Sequence, residues 1–492
     1  MRVLLVDLNN FARYPSIAVG YVIAILRSGG IEAELFAPLS IGLEGVPREP
    51  PTPWWGRLGL EFRYRTAVTR NTAVRRARSR YAAHRISQLA RSMDEILASF
   101  CARLENGFDA VLVSTYLMYY PHCVAIGEAC RARGVPMIVG GPYFAAIEVA
   151  REWTNIPGLS ALVGGEIESN LCALVRRIVD GETADGIRGV WSGGSGQLIL
   201  NAPPLGDLDR LPFPDYSQFP WTKYPNVIVP LITGRGCSWG VCTFCSDVTS
   251  TAGRTFRSRS PGNVLAEIAY QSGRHRATLF VFTDLKLNSS LEMWRVLTSE
   301  MQHVVPGARW IGSVHVGRYG ENGLTHPELK QARAAGMVRL TTGLESGSQR
   351  VLDSMAKGVD LRLTSQFLAD AYAADISVRA TMITGYPGEE AADVHATAAF
   401  LAKHEQHIER INLNRFLIMS GTRFAHRLER NPGRFPDVTG VTPNHRLAQV
   451  GHDYALSADR SYRSAMSRVL KIVHRINRKP LRPAARDFEG VM

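Results

Sequence analysis

Apolar residues in this chain come in short continuous runs, separated by stretches whose apolar positions recur at helical spacing. That rhythm occurs twice along the 492 residues. In the first part Val3–Val6, Ala33–Phe36, Ala110–Ser114, Pro136–Val139 and Leu159–Val163 have strand length. Between them Ile17–Leu26 and His122–Arg133 carry apolar residues along one helical face. Strands alternating with helices predict a parallel, doubly wound, Rossmann-like sheet over about residues 1–205. Ligands of such sheets lie beyond the carboxyl ends of the strands, where Ser114, Gly140-Gly141 and Gly164-Gly165 fall. The glycine fingerprint for a dinucleotide is absent after the first strand, which continues Leu8-Asn9-Asn10-Phe11-Ala12-Arg13, so a dinucleotide is not expected. A basic segment at about 46–106 interrupts the pattern and reads as a helical insertion.

The rhythm resumes over about 226–430. Candidate strands are Val227–Ile232, Leu279–Thr283, Arg309–Val314, Val338–Gly343, Ser377–Thr384 and Arg410–Leu417. Helices fall between them, at Pro261–Gln271, Leu291–Met301, Pro327–Ala335, Ser348–Met355 and Asp393–His404. Six successive strand–helix units predict a partial parallel barrel with its chemistry at the C-terminal strand ends. Pro203–Pro220, rich in proline and aspartate, reads as a linker laid over the surface, with 206–225 joining the two domains. After a turn at Asn431-Pro432-Gly433-Arg434-Phe435-Pro436, residues 431–492 read as a small helical C-terminal region. Its basic amphipathic helix, Ser461–Arg478, is expected to cover the barrel mouth.

Composition adds limits. Hydrophobic residues at 45% and charged residues at 21% are ordinary for a globular protein. Met1–Asp7 starts a strand and no cleavable apolar region follows; no run has the length of a membrane span. The expected compartment is the cytoplasm, with reduced thiols and no membrane partner. The net charge of +13 is concentrated in two blocks, Arg57 to Arg91 and Arg460 to Arg486. These read as solvated helical faces, because no nucleic-acid motif accompanies them; a nucleic-acid partner is not expected.

The chemistry gathers after Val227–Ile232, in Cys237-Ser238-Trp239-Gly240-Val241-Cys242-Thr243-Phe244-Cys245. Three thiols in one loop suit an iron–sulfur cube with one iron left without a protein ligand. A closed zinc site needs four ligands, and no second cysteine pair follows. A disulfide does not suit a chain without an export signal, and a redox pair would not need Cys237. Cys101, Cys123, Cys130 and Cys172 are scattered among apolar stretches and read as small buried hydrophobes. Other barrel-strand ends supply Asp284 and Asn288, His315 and Arg318, Gly343-Leu344-Glu345-Ser346-Gly347-Ser348, and Gly385-Tyr386-Pro387-Gly388-Glu389. Asp284, Glu345 and Ser346 could each serve as helix caps rather than ligands.

With these residues in view, the chain resembles the cobalamin-dependent branch of the radical S-adenosylmethionine (SAM) enzymes. The resemblance covers about 1–430 and rests on the cysteine loop with Phe244 before its last cysteine. Gly343-Leu344-Glu345-Ser346-Gly347-Ser348-Gln349-Arg350-Val351-Leu352, the Gly385–Glu389 stretch and the preceding α/β domain complete it. It implies a Rossmann-like cobalamin-binding domain, then a partial (β/α)6 radical SAM barrel. By position, Cys237, Cys242 and Cys245 would hold a [4Fe–4S] cluster. Phe244, Asp284, Asn288, Glu345, Ser346 and Gly385 would bind SAM; Ser114, Gly140, Gly141 and Gly164 would bind cobalamin. No catalytic residue beyond the cluster ligands is implied.

Two departures stand out. Four residues separate the first two cysteines, where the family commonly has three. No histidine occurs before His84, so the lower cobalt ligand of classical cobalamin domains is missing; His122 reads as a surface or core residue. The usual activity of the branch is methylation of an unactivated carbon of a natural product or peptide. One SAM methylates cobalamin, and a second yields a 5′-deoxyadenosyl radical, with electrons from an external low-potential donor. Ring cyclisation, contraction or oxidation without methyl transfer is the alternative enzyme class. A cobalamin-binding sensor without catalysis is the alternative outside enzymes, and it leaves the cysteine loop unexplained.

Overall fold

The computed structural model describes residues 1–9, 13–43, 56, 58–59, 61–62, 72–193, 202–247, 256–454 and 459–491. The first domain is built on β1 (Arg2–Asp7), α1 (Ile17–Ser28), β2 (Glu32–Phe36), α2 (Thr72–Leu104), β3 (Ala110–Ser114), α3 (Tyr120–Ala132), β4 (Met137–Gly140), α4 (Ile147–Trp153), β5 (Leu159–Val163), α5 (Leu171–Val179) and β6 (Val190–Ser192). Its sheet runs β2-β1-β3-β4-β5-β6, parallel except for the antiparallel edge strand β6. Strand order reverses between β1 and β3, and such a switch point opens a crevice at the carboxyl edge. Helices cover both faces, which is why the strands are continuously apolar rather than alternating. Of the basic insertion, α2 and residues 56, 58–59 and 61–62 are described; Phe100 and Leu104 of α2 sit in the core beside Phe36.

The second domain contains β7 (Ile228–Leu231), the short pair β8 (Gly234–Arg235) and β9 (Arg257–Ser258), α6 (Pro261–His275), β10 (Leu279–Phe282), α7 (Leu291–Val304), β11 (Arg309–Val314) and α8 (His326–Ala334). Then follow β12 (Met337–Glu345), α9 (Gln349–Ser354), α10 (Leu361–Ala373), β13 (Ser377–Thr384), α11 (Ala391–Lys403) and β14 (Arg410–Arg415). The parallel order β14-β13-β12-β11-β10-β7 follows the sequence without reversal, which is the order of a six-stranded partial barrel. Side-chain caps fix helix starts: Ser260 accepts from Asn263 N, and Ser290 accepts from Met293 N.

The linker does not lie over the surface. Tyr216 is fully buried between α1 and the barrel, and its hydroxyl donates to Pro230 O at 2.9 Å. Phe219 is buried with it. An aromatic body with one polar tip can fill such a groove while satisfying its hydroxyl, so this proline-rich segment is an interdomain wedge.

The C-terminal region also departs from expectation. It contains β15 (Ile418–Met419), α12 (Arg423–Arg430), β16 (Val438–Asn444), β17 (Gln449–Tyr454) and α13 (Arg460–Asn477). The strands form a small antiparallel sheet, β15-β17-β16. Its end reaches the first domain, where Trp153 Nε1 donates to Arg446 O at 3.1 Å. Helix α13 packs along the barrel's side on α11 and β14, and its first turn reaches the mouth at the Glu389 loop without covering it. The tail beyond it crosses the amino-terminal strand ends. Arg482 pairs with Glu409, Arg339 Nη1 donates to Phe488 O, and Asn226 Nδ2 donates to Asp487 O. Phe488 and Val491 pack with Ile228, Leu279, Ile311, Val338 and Tyr14, closing the barrel bottom. Among the described residues, no helix is long and apolar enough to cross a membrane.

Candidate functional site

Strand β7 hands the chain to Thr233 and Gly234, and Asp284 at the end of β10 receives both. Its Oδ1 accepts from Thr233 N at 3.0 Å, Thr233 Oγ1 at 2.7 Å and Gly234 N at 3.0 Å. Burial pushes the Asp284 carboxyl up to about 6 against these donors. The cysteine loop is pinned on its far side as well. Thr243 N donates to Met355 O at 2.9 Å, Trp239 Nε1 donates to Ala356 O at 2.9 Å, and Thr243 Oγ1 lies 2.8 Å from the Tyr386 hydroxyl. Gly236 (φ 86°) and Gly240 (φ 53°) take the left-handed turns that accommodate the four-residue spacer. The Trp239 ring from that spacer stacks on His315 and on Tyr319.

Cys237, Cys242 and Cys245 are in no disulfide and are half-buried. Burial holds the Cys242 thiol above its ordinary range, and the Lys357 ammonium opposes that shift without reversing it. Lys357 Nζ donates to Glu345 Oε1 at 2.8 Å and lies 5.5 Å from the Phe244 ring centre. Thus Phe244 and Glu345 converge with Cys242 and Cys245 around one lysine. Glu345 has a left-handed backbone (φ 57°) at an irregularity in the β12–β13 ladder, which turns its side chain toward the loop. Lys286 Nζ donates to Ser238 Oγ at 3.0 Å beside Cys237.

The other expected SAM contacts are engaged with protein. Asn288 gives both amide hydrogens to His315 O and Asn322 O, and its Oδ1 accepts from His315 N. Ser346 Oγ is 3.3 Å from Thr397 Oγ1 and accepts from Ser348 N. Gly385 N donates to Glu389 Oε2 at 2.7 Å. Lys286 and Lys357 escaped the sequence reading. Nothing in Ala356-Lys357-Gly358 marks a buried cation; only the return of the chain past β12 puts it there.

In the first domain the register aligns Asp7, Ser114, Gly140 and Val163 along the carboxyl edge, with Gly141 and Gly164 one step beyond. Asn9 Nδ2 donates to Ser114 Oγ at 3.2 Å, and Asn9 Oδ1 is buried without a partner. Met118, 67% exposed, and Tyr116 present apolar surface at this edge. His122 makes an edge contact with Tyr119, and burial lowers its pKa. Cys123 and Cys130 lie in the core, where burial pushes both thiols up to about 12. The edge meets the cysteine loop directly: Tyr143, left-handed at φ 75°, hydrogen-bonds Ser246, the residue after Cys245. Glu166 adds ion pairs to Arg257 at 2.7 Å and Arg235 at 3.3 Å.

These features fit the implied groups. Cysteines of a cube bind separate irons and surround a volume rather than converge on a point. Among the described residues, no three His, Cys, Asp or Glu side chains converge on a single ion, and the donor set here is three thiols outside any disulfide. The orphaned Asn9 oxygen and the exposed apolar residues at the first-domain edge suit a large partly polar ligand.

Comparison with known proteins decides the barrel's family: residues 231–401 match the model of the radical SAM superfamily. Residues 231–401 form a radical SAM domain. An uncharacterized methyltransferase of Pyrococcus horikoshii is 25% identical over 322 residues, which is 63% of this chain and 68% of that one. The structure of the radical SAM methyltransferase TsrM from Kitasatospora setae, with cobalamin and a [4Fe–4S] cluster bound, has a TM-score of 0.62 at 15% identity. It covers 90% of this chain and 81% of its own. The cobalamin-dependent SAM radical enzyme OxsB has a TM-score of 0.65 at 14% identity, over 92% of this chain and 64% of its own. The Rossmann-like domain followed by a radical SAM barrel is therefore a fold shared with both.

Proposed function

We propose that this chain is a cobalamin-dependent radical SAM methyltransferase acting on a small-molecule or peptide substrate, with an external low-potential electron donor. The observation that carries the reading is the contact of Tyr143 with Ser246, which puts the carboxyl edge of the first domain against the sulfur loop of the barrel. Cys237, Cys242 and Cys245 would hold the cluster. Phe244 and Glu345 would flank SAM, with Ser346 and Gly385 shaping the backbone there. Asp284 and Asn288 act chiefly by fixing the strand ends that frame it, through bonds to Thr233, Gly234 and His315. Ser114, Gly140, Gly141 and Gly164 line the edge that would receive cobalamin. When bound, these groups supply one-electron chemistry and a transferable methyl group. The chain contributes a walled site: the tail shuts the barrel bottom, and the wedge and Glu166 ion pairs seat the first domain.

The test is reconstituted protein incubated with SAM, cobalamin and reductant, with products of candidate substrates followed by mass. Methyl transfer that requires cobalamin and fails in Cys242→Ala supports the reading. Transfer that persists without cobalamin, or product formed with no added methyl group, counts against it.

A further inference from the structure

Two lysines bracket the sulfur tripod, and one of them is built in. Lys357 is 12% exposed and Glu345 is 7% exposed, and the two are ion-paired at 2.8 Å. Gly343 makes the room: a Cβ there would lie 2.5 Å from Lys357 Nζ. Ala356 (φ 53°) and Gly358 (φ 70°), on either side of Lys357, both take left-handed backbone. For alanine that conformation is strained, so the turn that brings the lysine inward is held at a cost. The Glu345 carboxylate bonded to Nζ offsets the cost of burying the ammonium. The pair lies against the sulfur loop, with Nζ 5.5 Å from the ring centre of Phe244, the residue before Cys245. On the other flank, half-buried Lys286 lies beside Cys237 with Ser238 Oγ as its hydrogen-bond partner.

We infer that Lys357 is a positioning residue of charge: its ammonium raises the reduction potential of the cluster held by Cys237, Cys242 and Cys245, Glu345 opposes it, and Lys286 adds a smaller push. The inference rests on the proposed function in one respect, that the tripod holds a cluster. One-electron reduction adds a negative charge to the cluster. A fixed cation within a poorly solvated wall stabilises the reduced form more than the oxidised one, and net charge and burial are among the levers that set cluster potentials. Lys286 acts more weakly because water reaches it. The external donor supplies the electron, and no bond to Lys357 forms or breaks.

The experiment is an equilibrium redox titration of the reconstituted holoprotein, without SAM or substrate, followed by the paramagnetic resonance of the reduced cluster. Lys357→Met is expected to lower the reduced-to-oxidised ratio at a given potential about tenfold, or about 59 mV for one electron. Lys357→Arg keeps the charge and stays near wild type. Glu345→Gln shifts the ratio the opposite way, and Lys286→Met lowers it less than Lys357→Met. Lys403→Met, on the outer helix α11, leaves it unchanged. If Lys357→Met loads no cluster, the opposite-sign shift of Glu345→Gln carries the test alone. Unmoved potentials, or shifts of the same sign in Lys357→Met and Glu345→Gln, overturn the inference. Wild-type protein that holds no [4Fe–4S] cluster would instead overturn the proposed function.

Discussion

The Tyr462 hydroxyl donates to Glu389 Oε2 at 2.6 Å, tying the first turn of α13 to the loop that begins at Gly385. The same carboxylate oxygen accepts from Gly385 N at 2.7 Å. Burial pushes the Glu389 carboxyl up to about 7, against these two donors. Folded protein therefore keeps the proton up to about pH 7, whereas the unfolded chain loses it near the ordinary value of 4.5. Between those values the folded state binds more protons, so this group's contribution to stability is lost as pH rises through the window. Thermal unfolding at pH 5 and pH 8 should show wild type losing more stability than Glu389→Gln over that rise. An equal loss in both would contradict the assignment.

Tyr216 offers a second check. Truncation to alanine leaves a cavity between α1 and the barrel and should cost about 3–5 kcal/mol. Phenylalanine removes only the bond to Pro230 O and should cost about 1 kcal/mol. Denaturant titration separates the two; a small effect of Tyr216→Ala would return the linker to the surface.

Phe488 makes the corresponding prediction for the barrel bottom. Phe488→Ala should destabilise the fold by about 3–5 kcal/mol. Iron content after reconstitution should stay at the wild-type level, since the sulfur loop lies at the opposite end of the strands. Loss of iron without loss of stability would argue that the tail serves the cluster instead.

The clasp at Glu166 can be weakened without removing bulk. Glu166→Gln takes the charge from a carboxylate that bonds both Arg257 Nη atoms and Leu205 N. Both side chains are 12% exposed. A loss of about 1.5–3 kcal/mol is expected, of the size measured for hydrogen bonds to charged groups. Limited proteolysis around Leu205, whose N–H bonds Glu166, should accelerate in parallel.

Much of this was legible in the chain. Val3, Val111 and Val229 lie in continuous apolar runs because helices bury both faces of each sheet, so their strands could be read directly. The cysteine loop was legible because its ligands are adjacent in sequence. What escaped depends on distant juxtaposition. Tyr216 lies in a stretch without period, and only α1 across from it makes it core. Strand β16 is exposed along nearly its whole length, so it carries no alternation to read. Helix α10 carries the period in Thr364, Phe367, Leu368 and Ala371, and adds a second helix between β12 and β13 where strand–helix alternation predicts one. Lys357 reads as a surface lysine until Gly343 is seen to leave it a space.

The bond from Trp153 to Arg446 has a mechanical result. It joins the proline-rich wedge and the Glu166 ion pairs as one of several well-separated straps between the first domain and the rest of the molecule. Bodies fastened at several separated points resist hinging about any one of them, so the two faces keep a fixed gap rather than gaping open.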